Sequence, residues 1–466
     1  MSKPDTSTTF VIFGATGDLA TTKLFPALFD LFRSGELNGS FRILGTSRRE
    51  WSDDDFRHFI RNELGDAEKP KQFDQFLQCL HFQPGDVTEI NAYNDIYQRV
   101  EAFDKQTGVC ANKLFYLAMS PTFFAEIGRK FSQSKLMTLC SDEDSWTRLL
   151  VEKPYGTDLQ SAQKIDRVLC DIFTSDQLFR IDHYLAKPAL RNILALRFYN
   201  QLFAGSWNKQ YIDSVHIRMA EKDIVNDRVG FYDRIGAFRD VGQNHLLQIL
   251  AAIAMEPPAD LSADSVRSKR ADVLTDLCTY EPGDVSGNVV YGQYNQYTET
   301  EGVAPSSQTP TYFLVRAYLD NKRWQGVPFY LESGKGLNES HVTVDTQFGE
   351  SQYESGPNTG NTLRIELQPN QELSFSIWTQ KPELSSGLKE EIAEFSYQDT
   401  DQFPSAYEAI LYHAIAGDQL MFAHNREVEA SWQFAMPIIR SADKIKNQSY
   451  PVGSAGPKKR DALLPD

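Results

Sequence analysis

The spacing of apolar residues changes character part-way along this chain, and that change limits what it can fold into. Through the first third, short apolar runs alternate with amphipathic stretches: TTFVIFG, KLFPALFDLFRSG, FRILGTSR, KLFYLAM and TRLLVEKP. Such alternation predicts parallel strands joined by covering helices. From about Tyr211 the segments YIDSVHIRMAEKD, TYFLVRAYLDNKRW, TLRIELQP and ELSFSIWTQ place apolar residues at every second position. That period suits antiparallel strands with one buried face. Between the first two lies FYDRIGAFRDVGQNHLLQILAAIAM, which reads as one long helix, and GVAPSSQT (Gly302 to Thr309) reads as a loop.

The expected fold is therefore an α/β N-terminal Rossmann-like doubly wound domain plus an α+β C-terminal domain with a large, mainly antiparallel sheet. A chain of 466 residues exceeds one core, and the expected division is 1–178, 179–440 and a tail over 441–466.

A net charge of −16, with the only dense basic group at Lys458, Lys459 and Arg460, argues against nucleic acid and anionic membranes as partners. MSKPDTSTTF has no apolar core of a secretory signal, and the apolar run near LLQILAAIAM is too short to span a bilayer. A cytoplasmic protein is expected. Cys79, Cys110, Cys140, Cys170 and Cys278 are widely spaced with no C-x-x-C, and read as reduced, mostly buried thiols without a metal.

GATGDLA follows an apolar strand and opens an amphipathic helix, so Gly14 and Gly17 can let the backbone approach a pyrophosphate at a helix N-terminus. Leu19 stands where a third glycine is usual, and a plain strand-to-helix turn is the competing explanation. About thirty residues on, the second strand ends in Ser47, Arg48 and Arg49 rather than an acidic residue. Arginine there suits a ribose 2′-phosphate and favours NADP over NAD, although both could be solvated surface charges.

The segment FRIDHYLAKPALRNI crowds Asp182, His183, Tyr184 and Lys187 just after the expected boundary. Taken with GATGDLATTKLFPAL, VEKPYG, RDVGQNHLLQ, GVPFYLESGKGLN and AYEAILYHAIAGDQ, in that order from about Val11 to about Trp432, the chain resembles the glucose-6-phosphate dehydrogenase family.

The resemblance implies NADP-dependent oxidation of glucose 6-phosphate at C1 to the 6-phosphogluconolactone, and a homodimer or homotetramer formed through the large sheet. It implies that His245 is the general base and Asp182 orients it. His183, Tyr184 and Lys187 would hold the phosphate, with Lys335 approaching the same group. Lys153 would touch both sugar and coenzyme, with a cis bond before Pro154, and Glu221 and Asp240 would bind sugar hydroxyls. Coenzyme contacts carry over to Gly14, Ala15, Thr16, Gly17, Asp18, Leu19, Lys23, Arg48, Asp86, Val87 and Tyr116.

The residue chemistry agrees with those roles. A neutral imidazole suits removal of a hydroxyl proton as hydride leaves, and a carboxylate on its other nitrogen fixes the tautomer. His183 or Tyr184 to Lys187 would span one helical turn and share a face, as a dianion requires. The blander alternatives are a hydrogen-bonded core histidine at 245, an ion-pair knot around Asp182, a surface pair of Lys153 with Glu152, and a simple turn around Lys335.

Several positions depart from the family pattern. Ala186 and Pro188 replace Gly and Glu; the proline suits a first helical position, and the alanine costs about 1 kcal/mol only if its φ is positive. Glu332 and Ser340 stand where basic residues are common, which predicts a weaker grip on phosphate. They leave open a related dehydrogenase for free glucose or another hexose phosphate, beside a catalytically silent NADP-binding regulator. Dual use of NAD also stays open.

Overall fold

The computed structural model describes residues 7–37, 41–65, 71–138, 145–226, 229–281, 283–351, 353, 360–382, 387–396 and 404–465. The chain divides into two compact units, 1–186 with 404–425, and 187–403 with 426–466.

The first unit carries parallel strands β1 (Thr8–Phe13), β2 (Phe41–Ser47), β3 (Leu80–Pro84), β4 (Asn112–Leu117), β5 (Thr147–Val151) and β6 (Leu178–Ile181). Their spatial order is β3-β2-β1-β4-β5-β6, the doubly wound order, and the short strand Phe422–Ala423 adds an antiparallel edge to β6. Strands buried on both faces read as continuous apolar runs, and β1 and β4 are buried at every position. One core layer packs Phe13, Tyr93, Phe115 and Phe131, with ring centroids 4.9–6.5 Å apart. Truncating Phe131 to Ala would cost about 3–5 kcal/mol.

The second unit is built on a nine-stranded sheet. Its strands are β7 (Ile212–Ala220), β8 (Val289–Tyr294), β9 (Tyr312–Ala317), β10 (Phe329–Gly334), β11 (His341–Phe348), β12 (Thr362–Gln368), β13 (Glu372–Gln380) and β14 (Leu388–Ser396), with Gln448–Tyr450 at the far edge. The order is β14-β13-β12-β11-β7-β10-β9-β8 followed by that edge strand. Most pairs are antiparallel, while β7 with β10 and β8 with Gln448–Tyr450 run parallel.

Some expectations differ from the structure. The division between the units falls after Ala186 rather than after 178, because β6 completes the first sheet by pairing with β5. The chain returns to that unit over 404–425, where Arg148 binds the carbonyls of Ala414 and Ile415 and Gln419 binds those of Ser175 and Leu178. The end of the chain is no separate tail, since Gln448–Tyr450 joins the second sheet.

The expected long helix is three pieces. Gly236 (φ +68°) ends the helical course that begins at Val229, Phe238–Leu246 is a π-helix, and Leu247–Ala254 is α-helical. Asn244 supports the π segment by donating its side-chain amide to the carbonyls of Arg239 and Asp240. A stretch of this kind often marks a functional site. Cys170 and Cys278 are exposed free thiols, Cys79 is half-buried, and Cys110 is disulfide-bonded, against the expectation of buried reduced cysteines. Cys140 lies outside the described residues. Among the described residues no helix is long and apolar enough to cross a membrane.

Candidate active site

Parallel strands deliver their carboxyl ends to one edge, and ligands of doubly wound sheets bind outside that edge where the strand order reverses. Here the reversal lies between β1 and β4. Gly14 follows β1 at φ +82°, and a Cβ there would sit 2.5 Å from the Ala118 carbonyl oxygen beyond β4. Only glycine fits that approach. The amides of Gly14 and Ala15 donate to Thr46, and Gly17 closes the turn on Gly14. Thr16 and Gly17 complete the turn, Asp18 and Leu19 begin the helical course that passes into the π-helix Ala20–Leu24, and Lys23 is exposed in its last turn.

Arg48 and Arg49 both follow β2 and are exposed, but they are not equivalent. The Arg49 guanidinium lies 4.7 Å from the Trp51 ring centroid. Asp86, next to Val87 beyond β3, accepts from the amide and hydroxyl of Thr88; those bonds, and then the charge of Arg48, hold its carboxyl below the usual value.

The register of β4, β5 and β6 aligns Leu117 with Val151 and Val151 with Arg180, so Tyr116, Glu152 and His183 converge. Tyr116 donates its hydroxyl to Glu152 at 2.5 Å. Glu152 Oε2 is 3.3 Å from His183 Nε2, and the Tyr407 hydroxyl is 3.2 Å from the same nitrogen, its ring tilted 34° against the imidazole with centroids 4.5 Å apart. Burial alone would raise the Glu152 carboxyl; bonds from His183, Tyr116 and the Lys153 amide outweigh it and hold the group low. Burial and the Glu152 charge push the Tyr116 phenol well up. Glu152 and Tyr407 were not singled out from sequence as ligand-site groups, and the nearness of Glu152 to Lys153 was the available sign. The Lys153–Pro154 bond is cis.

Asp182 is buried and accepts the Tyr184 amide at 2.9 Å. The segment from His183 to Ala186 is a turn, and the helix starts only at Pro188 with Lys187 as its extended N-cap. The one-helical-turn account of His183, Tyr184 and Lys187 therefore fails, because proline at the first helical position disfavours helical backbone in the residue before it. Ala186 is not among the positive-φ residues, so it carries no strain.

In the second unit, β7 and β10 run parallel with Ala220 opposite Gly334, so Glu221 and Lys335 leave the sheet side by side. The Glu221 amide donates to Gly334, and Lys335 Nζ lies 2.7 Å from Glu221 Oε2. Beneath Lys335 Nζ, 5.6 Å away, is the ring of Tyr232. That ring is buried and its hydroxyl has no hydrogen-bond partner. Burial, then the charges of Asp240 and Glu221 among its neighbours, push the Tyr232 phenol well above its ordinary value. Tyr232 was missed because its position reads as core. His245 is buried in the π segment, with its amide bonded to the Asn244 side chain.

The comparisons with known proteins cover nearly the whole chain. The family profile described as glucose-6-phosphate dehydrogenase, NAD binding domain, matches residues 11–192, and the C-terminal domain profile matches residues 194–466. The chain belongs to the glucose-6-phosphate dehydrogenase family. It is 34% identical to the glucose-6-phosphate 1-dehydrogenase of Bacillus subtilis (strain 168), over 97% of this chain and 96% of that protein. The corresponding protein of Aggregatibacter actinomycetemcomitans is 35% identical, over 97% and 95%. A solved glucose-6-phosphate dehydrogenase in complex with its substrate glucose-6-phosphate superimposes with a TM-score of 0.91 at 32% identity, covering 100% of this chain and 98% of that one.

Glu332, expected from the resemblance to depart from the family pattern, does not leave a free negative charge. Its carboxylate is wholly buried, 2.8 Å from His216, 3.4 Å from Arg218 and 3.1 Å from Arg460, and it accepts the Tyr312 hydroxyl at 2.9 Å. Burial would raise it, but His216, Arg218 and Arg460 bring it down to about 2. The expected loss of positive character at Glu332 is thus offset inside the sheet. Ser340, the other expected departure, accepts the Lys222 amide on its hydroxyl.

Proposed function

We propose that this chain is a glucose-6-phosphate 1-dehydrogenase that oxidises D-glucose 6-phosphate at C1 to 6-phospho-D-glucono-1,5-lactone with NADP. The full-length likeness to a relative in complex with that sugar phosphate carries the reading. His245 takes the C1 hydroxyl proton, and Asp182 orients the imidazole. His183, Tyr184, Lys187 and Lys335 hold the phosphate, Glu221 and Asp240 accept from sugar hydroxyls, and Lys153 serves sugar and coenzyme.

The turn at Gly14 lies at the switch point between β1 and β4 and leads into a helical course, the place where a doubly wound sheet receives a pyrophosphate. NADP, when bound, supplies the hydride acceptor. Residues Gly14 to Leu19, Lys23, Asp86, Val87 and Tyr116 would hold it, with Arg48 on the 2′-phosphate because Arg49 is engaged by Trp51. A homodimer or homotetramer goes with this reading: β14 is an edge strand exposing Leu388, Ile392 and Phe395. So does a cytosolic setting.

The test is initial-rate nicotinamide reduction with glucose 6-phosphate, glucose and galactose 6-phosphate, each with NADP and NAD. His245→Asn should lower kcat by about two to four orders of magnitude with little change in KM. A full-rate variant would end the proposed mechanism, and coenzyme binding without turnover by the unaltered protein would favour a silent regulator.

A further inference from the structure

The loop that carries Lys335 is held from two sides. From the segments flanking β9 and β7, the Lys335 amide donates to Thr311, Gly336 to Asp223 and Leu337 to Glu221. The other side is made by the end of the chain. The Tyr450 hydroxyl donates to the Lys335 carbonyl at 2.7 Å and is 2.9 Å from the Thr311 hydroxyl. Gly453 donates its amide to the Gly336 carbonyl at 2.7 Å, and the Asn338 amide donates to Ser454 at 2.9 Å. A few residues on, Arg460 reaches Glu332, on the strand that leads into the loop.

Nothing in the ion pair of Lys335 with Glu221 requires this second set of bonds. Their targets, the Lys335 and Gly336 carbonyls and the Asn338 amide, are backbone groups immediately following the lysine side chain's origin, which is where a long, flexible side chain needs its mount held. A lysine ammonium is a point charge on a stem of several rotatable bonds, so its placement depends on a rigid mount. Gly336 adopts φ +67°, a left-handed turn that bends the loop over the Tyr450–Ser454 segment.

We propose that the C-terminal segment Tyr450–Arg460 is a positioning element for Lys335, with Tyr450 and Arg460 as its positioning residues, and that it thereby sets affinity for the phosphorylated end of the substrate. This rests on the assignment of Lys335 to that phosphate.

Steady-state kinetics of the full-length protein test it, with Tyr450→Phe, Arg460→Gln, Lys335→Ala and the double variant of Tyr450 and Lys335. Tyr450→Phe should raise KM for glucose 6-phosphate roughly fivefold, the worth of one buried hydrogen bond, while kcat and KM for NADP stay within about twofold. Arg460→Gln should act in the same direction, and Tyr450→Phe should add nothing once Lys335 is Ala. Turnover of unphosphorylated glucose should be unaffected, which a general loss of structure would not spare. If Lys335→Ala raises KM but Tyr450→Phe and Arg460→Gln do not, the positioning role is overturned alone. If Lys335→Ala leaves KM unchanged, the assignment of Lys335 falls and the proposal falls with it. Equal losses for glucose and glucose 6-phosphate in the Tyr450 variant would also overturn it.

Discussion

His183 Nε2 stands 3.3 Å from Glu152 Oε2 and 3.2 Å from the Tyr407 hydroxyl, so one nitrogen of this imidazole is committed within the first unit. The other, Nδ1, is buried without a hydrogen-bond partner. Buried polar atoms are seldom left so, and if His183 holds the phosphate as proposed, Nδ1 is the nitrogen that would meet it. Glu152→Gln keeps the shape and removes the charge that fixes the ring. KM for glucose 6-phosphate should rise about tenfold, the cost of a charge-assisted bond, with a smaller change in kcat. Initial rates across substrate concentration decide this, and an unchanged KM would count against a phosphate role for His183.

The two arginines after β2 should separate cleanly. Arg49 is stacked on Trp51, which is itself packed on Phe59 and Phe82, with centroids 5.0 and 5.9 Å away. Arg48→Leu should raise KM for NADP by roughly one to two orders of magnitude, as loss of a charge-assisted bond to a phosphate predicts, and leave KM for NAD nearly unchanged. Arg49→Leu should have the smaller coenzyme effect and lower Tm slightly. The reverse ranking would exchange their roles.

Tyr232 carries an unpartnered buried hydroxyl on the ring that lies under Lys335, with Asp240 and Glu221 near enough to bias its phenol. Removing such a group removes a desolvation cost from the free protein. Tyr232→Phe should therefore keep or raise Tm while KM for glucose 6-phosphate rises roughly fivefold. A lower Tm with unchanged KM would make Tyr232 a packing residue only.

The buried Glu332 cluster predicts a specific acid response. Its folded value of about 2 lies below the free-chain value of 4.5, so the unfolded chain binds more protons between those limits. The stabilisation is fully present above about pH 5, and is lost as pH falls towards 2. Glu332→Gln leaves Arg218 and Arg460 without their shared counter-charge, and should cost about 3–5 kcal/mol at neutral pH. Urea unfolding at neutral and acidic pH measures both effects, and the variant should show a flatter acid limb than the unaltered protein.

The strands and the change from parallel to antiparallel order were legible because burial imposes a different period on each kind of sheet. TTFVIFG and KLFYLAM are buried throughout as β1 and β4, whereas TLRIELQP alternates along β12. The π-helix from Phe238 to Leu246 was not legible, since its extra residue per turn leaves no separate hydrophobic period. Glu332 misled for a different reason: its partners come from positions 218 and 460, and only the sheet brings them to it. Pro188 was placed correctly, but its effect on the residue before it was overlooked, and with it the turn through His183.

The return of the chain over 404–425 has a bearing on how the molecule is made. The outermost strand of the first sheet, Phe422–Ala423, is encoded more than two hundred residues after the β6 residues, Ile181 and Arg180, on which it lies. During synthesis the N-terminal unit must wait, with one edge of its sheet unprotected, while the greater part of the second sheet emerges. A nascent protein of this family halted before that segment would expose a sticky seam, and its completion is a late event that closes the first unit from the far end of the gene.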